Sequence, residues 1–413
     1  MSVIVKSVTT RDLRFPLSDG HGADAVHSNP VYSYAVANIH LDDGTTGVGF
    51  SFTLGLGNEL VCQAINSLAT LIVGETLATL VSRAGSLQNR LKNHEQLRWL
   101  GPHKGVVHLA LAALMNGIFD AWAKSIGKPL WQALTDLSAE QIVDLVDFAD
   151  LEDELTKADA LQLLLACEAT KDDRRNVVNS GYPAYDTSVG WIGYSDQVLI
   201  EKVERAIERG FNAVKLKVGS RETQHDIARL ELLRKRFGDT LNIMIDANQQ
   251  WSYSTAKSVC RDIASLDPFW IEEPLHPDDV VGHGRLQAEI SPLKIAAGEH
   301  VANSVVFKNY FQLRGLQYCQ VDCTRVAGVS EFICVSLLAS KHGIPVIPHV
   351  GDMGQVHQHL VVFNHVSLDI PKLYLEYIPH LKDFFEEPAD VRDGTYVIPR
   401  SPGSSASFST EAT

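Results

Sequence analysis

Hydrophobic and polar positions follow two different rhythms along this chain, and the rhythm changes near Gly181. Before it, VIVKSVTTRDLRF and VYSYAVANIHL read as strands, and the second leads through the turn pair Asp43-Gly44 into TTGVGFSF, which predicts a hairpin. Between the two strands lies a polar, glycine-bearing loop from Ser18 to Pro30. The stretch from Gly105 to Lys124, GVVHLALAALMNGIFDAWAK, is small and apolar on most faces and predicts a buried helix, ended by Gly127 and Pro129. A strand meander followed by helices makes a compact α+β unit over residues 1–135. Residues 136–180 are rich in charge and leucine (LEDELTKADALQLLLA, then KDDRRN), the pattern of a surface helix and a connector.

From Gly181 onward, eight short β-like runs alternate with helical stretches: PAYDTSV, AVKLKV, NIMIDAN, WIEEP, KIAAGE, YCQVDC, PVIPHV and YLEYIP. Strand–helix alternation argues a parallel sheet, and eight such units over residues 181–383 fit a small α/β barrel of the TIM type. Residues 384–413 hold turns and a Gly/Ser-rich end, expected to pack back on the first domain with a disordered tip.

Composition narrows the function class. The 413 residues carry a formal net charge of −14, which argues against nucleic acid or an anionic membrane as partner. An anionic substrate stays open, because a bound divalent cation reverses the field of one pocket. The six cysteines form no C-x-x-C pair and suit a reduced, intracellular enzyme. The first residues lack the apolar core of a signal peptide, and no run of about 18 apolar residues is seen, so a cytoplasmic location is the default expectation.

A polar residue ends nearly every β-like run: Lys217, Asp246, Glu272, Glu299, Asp322, His349 and Glu376, spaced 23 to 29 residues apart. One strand–helix unit needs about that length, so the periodicity gathers all seven at the carboxyl-end mouth of the barrel. A lone acid at a strand end is ordinarily a helix cap or a solvated loop residue; seven in phase are not explained that way. Alternation turns Lys215 and Lys217 of AVKLKV to one face, and Glu272 and Glu273 to opposite ones.

Asp246, Glu272 and Glu299, on three successive strands, would repel one another unless a cation joined them. All-oxygen donors with room for water and substrate suit Mg²⁺, and no cysteine or histidine on those strands favours zinc. Lys217, with Lys215 and a metal nearby, is expected to titrate low enough to act as a base. Asp322 would orient His349 and support its imidazolium form. Positive charge at the carboxylate of a bound acid stabilises the enediolate left by α-proton removal. Glu376, if kept neutral in a dry site, would donate a hydrogen bond to the same oxygens.

The order K-x-K, D-A-N, I-E-E-P and A-G-E, followed by an Asp and a His on the sixth and seventh strands, resembles the mandelate racemase branch of the enolase superfamily. The segments QLRWLGPHKGVV and GKPLW extend the likeness into the first domain, and GHGADAVHSNP and GYPAYDTSVGWIGYSD look most like L-fuconate dehydratases and their relatives. The resemblance implies an α/β fold, a modified TIM barrel (β/α)7β under an N-terminal α+β capping domain. It implies that Asp246, Glu272 and Glu299 bind Mg²⁺, that Lys217 is the base, that His349 is the acid assisted by Asp322, and that Glu376 donates to the enediolate. The loop residues His21, Asp24 and His27 are candidates for substrate specificity, since that loop covers the mouth in the family, and Asn248 of the D-A-N run is a further substrate-binding candidate. The chain departs from the fuconate dehydratase pattern at Asn303-Ser304 and at HVGDMGQVHQH.

GVGF and GLGN (Gly47 to Asn58) do not complete a dinucleotide fingerprint and read as turns of a mobile cap loop. His357 and His359, two apart on a predicted helix, cannot share a face and carry no metal expectation. The expected activity is a Mg²⁺-dependent dehydratase of an aldonate such as L-fuconate or L-galactonate, probed against a racemase or epimerase on the same scaffold and a barrel that has lost turnover. The expected partners are a small sugar acid and further copies of the chain, with no nucleic acid and no membrane.

Overall fold

The computed structural model describes residues 3–410 and residue 412, with the backbone alone at Val177. Strands β1 (Val5–Pro16), β2 (Val31–Leu41) and β3 (Thr46–Leu54) form an antiparallel meander. The helix Val106–Ser125 lies across β2 and β3. Glycines permit that approach: a Cβ on Gly49 would come within 2.1 Å of the Gly117 nitrogen and 2.2 Å of the Ala113 oxygen. Gly47 and Gly49 are therefore strand residues beneath a helix and not the turn glycines their spacing suggested; only Gly55 and Gly57 bend the chain, at φ 92° each. The helix is long and apolar enough to span a bilayer, contrary to the reading that no such run exists. It is buried inside the protein, where Asp120 accepts from the Val48 nitrogen (2.7 Å) and Asn116 donates to the Cys323 oxygen (3.0 Å).

Residues 136–180 fold as three short helices, Ala139–Asp144, Lys157–Ala166 and Lys171–Val177, where one helix and a connector were expected. Ser138 with Gln141 and Thr156 with Asp159 form capping boxes that start the first two.

The second sheet runs β4 (Tyr182–Gly190), β5 (Ala213–Lys217), β6 (Asn242–Asp246), β7 (Ile271–Glu272), β8 (Ile295–Ala297) and β9 (Tyr318–Cys319), each parallel to the next. Val346 bridges to Cys319 as the seventh strand position, and β10 (Leu375–Tyr377) pairs in parallel with β4 and returns the sheet to its start. An α-helix follows each of the first seven positions, and among the described residues only a short 3-10 helix, Pro379–Phe384, follows β10, which gives the (β/α)7β count. The last strands, β11 (Val391–Arg392) and β12 (Thr395–Tyr396), form a hairpin added antiparallel to β4. Beyond it the chain returns to the first unit: Ser404 donates to Asp120, and Phe408 packs on Phe15, Tyr34 and Phe50.

Candidate active site

The barrel interior is floored by one side chain from each strand position: Tyr185, Ala213, Met244, Trp270, Ala296, Tyr318, Ile347 and Tyr374. Two residues further along each strand, on the same face, stand Thr187, Lys215, Asp246, Glu272, Gly298, Gln320, His349 and Glu376. The interior thus passes from mainly apolar to polar in one step at every strand but that of Gly298. Gly298 is the small member: a Cβ there would meet the Gln320 carbonyl carbon at 2.3 Å, so Glu299, the next residue, reaches the mouth instead. The parallel register sets Lys217 beside Asp246 and Asp246 beside Glu272.

Asp246, Glu272 and Glu299 are buried and each offers an oxygen within 4.8 Å of the others. Lys215 lies beneath them, 1% exposed, 2.8 Å from Glu272 Oε1, 2.7 Å from Glu376 Oε1 and 3.8 Å from Asp246 Oδ2. Lys217 Nζ is 2.5 Å from Asp246 Oδ2. Trp270 Nε1 donates to Glu272 Oε2 at 3.0 Å. Burial holds the Glu272 carboxyl above its usual range against the pull of Lys215, with Asp246 and Glu376 adding to the rise. Four acids (Asp246, Glu272, Glu299, Glu376) crowd around two amines (Lys215, Lys217), and a cation among them would relieve the repulsion that holds the Glu272 carboxyl up. The donors are hard oxygens with no thiol or imidazole among them, so the residues present fit Mg²⁺.

Backbone strain gathers at the same strand ends. Asn248, Gln249 and Glu273 all have positive φ (43°, 66° and 43°), a conformation that costs about 1–3 kcal/mol for a non-glycine residue. The turn at Glu273 sends its carboxylate away from Glu272, to Gln249 Nε2 (2.6 Å) and His300 Nδ1 (3.2 Å). His300 also lies 3.1 Å from Glu299, and these acids, outweighing burial, raise it to about 10.

His349 Nδ1 is 2.8 Å from Asp322 Oδ2, and its Nε2 is 3.3 Å from Glu299 Oε2. Burial opposes a charge on the ring, but Glu299 and Asp322 outweigh it and lift the imidazole to about 9, so it is an imidazolium at neutral pH. Asp322 also accepts from Thr324, and its other oxygen meets His357 Nε2 at 2.9 Å. His357 was set aside in the sequence because it shares no face with His359. The two do point apart, His359 Nδ1 accepting from the Trp131 nitrogen, but one of them reaches the site.

Two expectations about charge reverse. Lys217 stays above its ordinary range: burial lowers it, and the Asp246 carboxylate more than restores the charge. Glu376 is an acceptor, taking hydrogen bonds from Thr187 Oγ1 (2.6 Å) and the Val350 nitrogen (3.0 Å) beside its Lys215 ion pair. Burial would raise it, but Lys215 and His349 hold it low, so in this arrangement it has no proton to donate.

A cavity of about 250 Å³ opens above these groups. Lys217, Asn248, Glu299, His349 and Glu376 line its base, and Asp24, His27, Tyr32 and Phe52 line it from the cap. Lys215, Asp246, Glu272 and Asp322 lie behind this surface. Asn248 Oδ1 is buried without a partner among the described residues, aimed for an incoming donor. His21 is not at this cavity. It lines a neighbouring one of about 450 Å³, with its Nδ1 2.9 Å from Tyr194 Oη and its ring 4.8 Å from that of His380, because the loop turns at Gly22 and only Asp24 and His27 swing inward. The larger cavity holds none of the charged strand-end groups, so the smaller one is the site. Trp191 and Arg325 also line it and were missed. Trp191, just past the end of β4, stands in phase 26 residues before Lys217 but is not one of the charged residues that mark the other strand ends, and Arg325 is out of phase, bound to the Glu299 and Phe52 oxygens across the cap.

Comparison with known proteins agrees with this fold. A family model described as enolase C-terminal domain-like matches residues 198–412. Mitochondrial enolase superfamily member 1 of Homo sapiens is 39% identical over 99% of this chain and 94% of its own length. Its crystal structure superposes with a TM-score of 0.96 over 100% of this chain and 95% of that one. L-galactonate dehydratase of Hypocrea jecorina is 36% identical over 99% of this chain and 93% of its own length. The crystal structure of L-talarate/galactarate dehydratase from Salmonella typhimurium LT2, liganded with Mg and L-lyxarohydroxamate, gives a TM-score of 0.79 at 25% identity, covering 100% of this chain and 92% of that one.

Proposed function

Because this chain belongs to the enolase superfamily, in its mandelate racemase/muconate lactonizing branch, we propose that it is a Mg²⁺-dependent dehydratase of a sugar acid, an aldonate of the L-galactonate or L-fuconate kind. The observation that carries the reading is the amine of Lys217 and the imidazole of His349 facing one cavity beside three clustered carboxylates. Asp246, Glu272 and Glu299 would hold the cation, which when bound supplies positive charge to the substrate carboxylate as its α-proton leaves.

Lys217 takes the C2 proton once it has given up its own, a state that the Asp246 carboxylate opposes and that a cation held by Asp246 would favour. His349 Nε2 gives its proton to the C3 hydroxyl, which departs as water and leaves a C2–C3 double bond. The enol then tautomerises to a 2-keto-3-deoxy acid. Asp322 keeps the His349 Nδ1 proton in place and the Nε2 proton toward the cavity. Lys215 holds Glu272 and Glu376 at fixed positions. Asn248 and Tyr32 offer polar atoms for substrate hydroxyls, and the ionised Asp24 at the cap end favours a neutral polyol tail over a second carboxylate.

The test is a panel of aldonates and aldarates with Mg²⁺, read as 2-keto-3-deoxy product by semicarbazone absorbance. L-galactonate or L-fuconate turnover, absent in Lys217→Ala and His349→Ala, is the expected result. Deuterium exchange at C2 with no loss of water would instead make the protein a racemase or epimerase.

A further inference from the structure

Asp322 is held by more than its partnership with His349. One carboxylate oxygen, Oδ2, meets His349 Nδ1 at 2.8 Å. The other, Oδ1, accepts from the Thr324 nitrogen and hydroxyl at 2.7 Å each and meets His357 Nε2 at 2.9 Å. His357 is 1% exposed and stands in the first turn of the helix Val356–Leu368. Asp322 follows β9 and His349 follows the seventh strand position, so three separate elements converge on one carboxylate.

The proton on His357 follows from its neighbours. A carboxylate only accepts, so Nε2 must donate to it; a bare Nε2 would set two lone pairs against each other at 2.9 Å. The Cys323 N–H also points at Nε2, at 3.2 Å, and competes for that nitrogen as an acceptor; the shorter contact to a charged acceptor prevails. His357 Nδ1 has no hydrogen-bond partner among the described residues.

We propose that His357 is a positioning residue for the acid of this site, acting through Asp322. The terminal torsion of an aspartate is broad, so a carboxylate held by one imidazole can swing. Thr324 holds Oδ1 from the same loop, and His357 ties that oxygen to a separate element, the helix Val356–Leu368, which anchors the carboxylate and its loop together. The carboxylate plane then fixes the His349 ring, and with it the direction of Nε2 into the cavity. His357 touches no substrate-facing surface, so it reaches the site only through Asp322.

This rests on the reading of His349 as the acid, and the test has one arm that does not. The full-length protein with Mg²⁺ and ¹⁵N-labelled histidine is observed by NMR at the downfield His349 Nδ1 proton, assigned by its loss in His349→Asn. The same protein is assayed with L-galactonate and L-fuconate, both for dehydration and for C2 exchange in deuterium oxide. In His357→Leu the downfield resonance shifts or broadens, and dehydration kcat falls about ten- to a hundredfold with KM little changed, the size found when a group supporting a site residue is lost. Exchange at C2, which needs Lys217 and not His349, persists. His357→Gln places an amide nitrogen where Nε2 stood and restores both the resonance and turnover to within about threefold, on the same scale. A wild-type resonance in His357→Leu overturns the inference, as does parallel loss of exchange and dehydration that Gln does not rescue. If the wild type turns over neither acid, the functional reading fails while the resonance still judges the role of His357.

Discussion

Lys217 Nζ and Asp246 Oδ2 stand 2.5 Å apart at matched positions of adjacent parallel strands, so the amine placed to take a proton is tied to a carboxylate placed to hold a cation. Mg²⁺ should therefore bind the folded protein and stabilise it, by about 2.7 kcal/mol at a hundredfold excess over Kd. Thermal melting across a Mg²⁺ titration should show a rising Tm in the wild type and almost none in Asp246→Asn. An equal rise in both would remove Asp246 from the ligand set.

Lys215 has no route to the cavity and is an internal tie between Glu272 and Glu376. Lys215→Met leaves two buried carboxylates facing each other without a counter-charge. Breaking one side of a buried ion pair costs about 3–5 kcal/mol, so the urea midpoint should fall well below that of the wild type. An unchanged midpoint would mean that Glu272 and Glu376 are protonated in the native protein.

The in-phase strand-end residues were legible because one strand–helix unit has a nearly constant length and each strand shows every second residue to the interior. Asp246, Glu272, His349 and Glu376 all follow from that rule, whereas Glu299 follows from the unit length alone, because the interior position of its strand is Gly298. What stayed hidden depends on contacts made across elements. His357 enters from a helix, Arg325 from a loop bound to the cap, and the inward swing of Asp24 with the outward one of His21 follows from turns at positive-φ glycines. Charge states were misread for a related reason: which oxygen sits beside which amine is a matter of ångströms, and strand phase alone gives only the face.

Gly49 tests the join between the cap sheet and its helix. A methyl group there would lie 2.1 Å from the Gly117 nitrogen, against backbone that no side-chain rotation can relieve. Gly49→Ala should cost at least the roughly 1–3 kcal/mol typical of overpacking and should loosen the wall that Phe52 and Tyr32 give the cavity. The expected result is a lower Tm with KM raised more than kcat is lowered; a Tm equal to wild type would show that the sheet and helix can separate freely.

Acid stability should depend on Glu331. Burial alone would raise this carboxyl, but His108 at 2.7 Å and the nitrogens of Ser304 and Ala327 draw it down to about 2. A folded-state pKa below the unfolded value near 4.3 adds stability that is complete above about pH 4.3 and is lost as pH falls toward 2. The amount is roughly 3 kcal/mol, and Glu331→Gln should flatten the fall of the urea midpoint over that window. A variant whose midpoint falls as steeply as the wild type's would place the acid-sensitive group elsewhere.

Asp24 should govern the choice between aldonates and aldarates. Its carboxylate is lowered by His27 and Lys217 against the effect of burial, and it lines the cavity from the cap, opposite the strand-end groups that would take the reacting carboxylate. A second carboxylate at the far end of a substrate would meet it as a like charge. Across several ångströms in a partly buried pocket that repulsion is on the order of 1.4 kcal/mol, about tenfold in kcat/KM. Asp24→Asn keeps the size of the side chain and removes the charge, so the ratio of kcat/KM for L-galactonate to that for galactarate should fall about tenfold, chiefly by a gain on galactarate. The same ratio in variant and wild type would mean that the far end of the substrate does not reach Asp24, and that the selectivity for the acid lies with Arg325 and the strand ends.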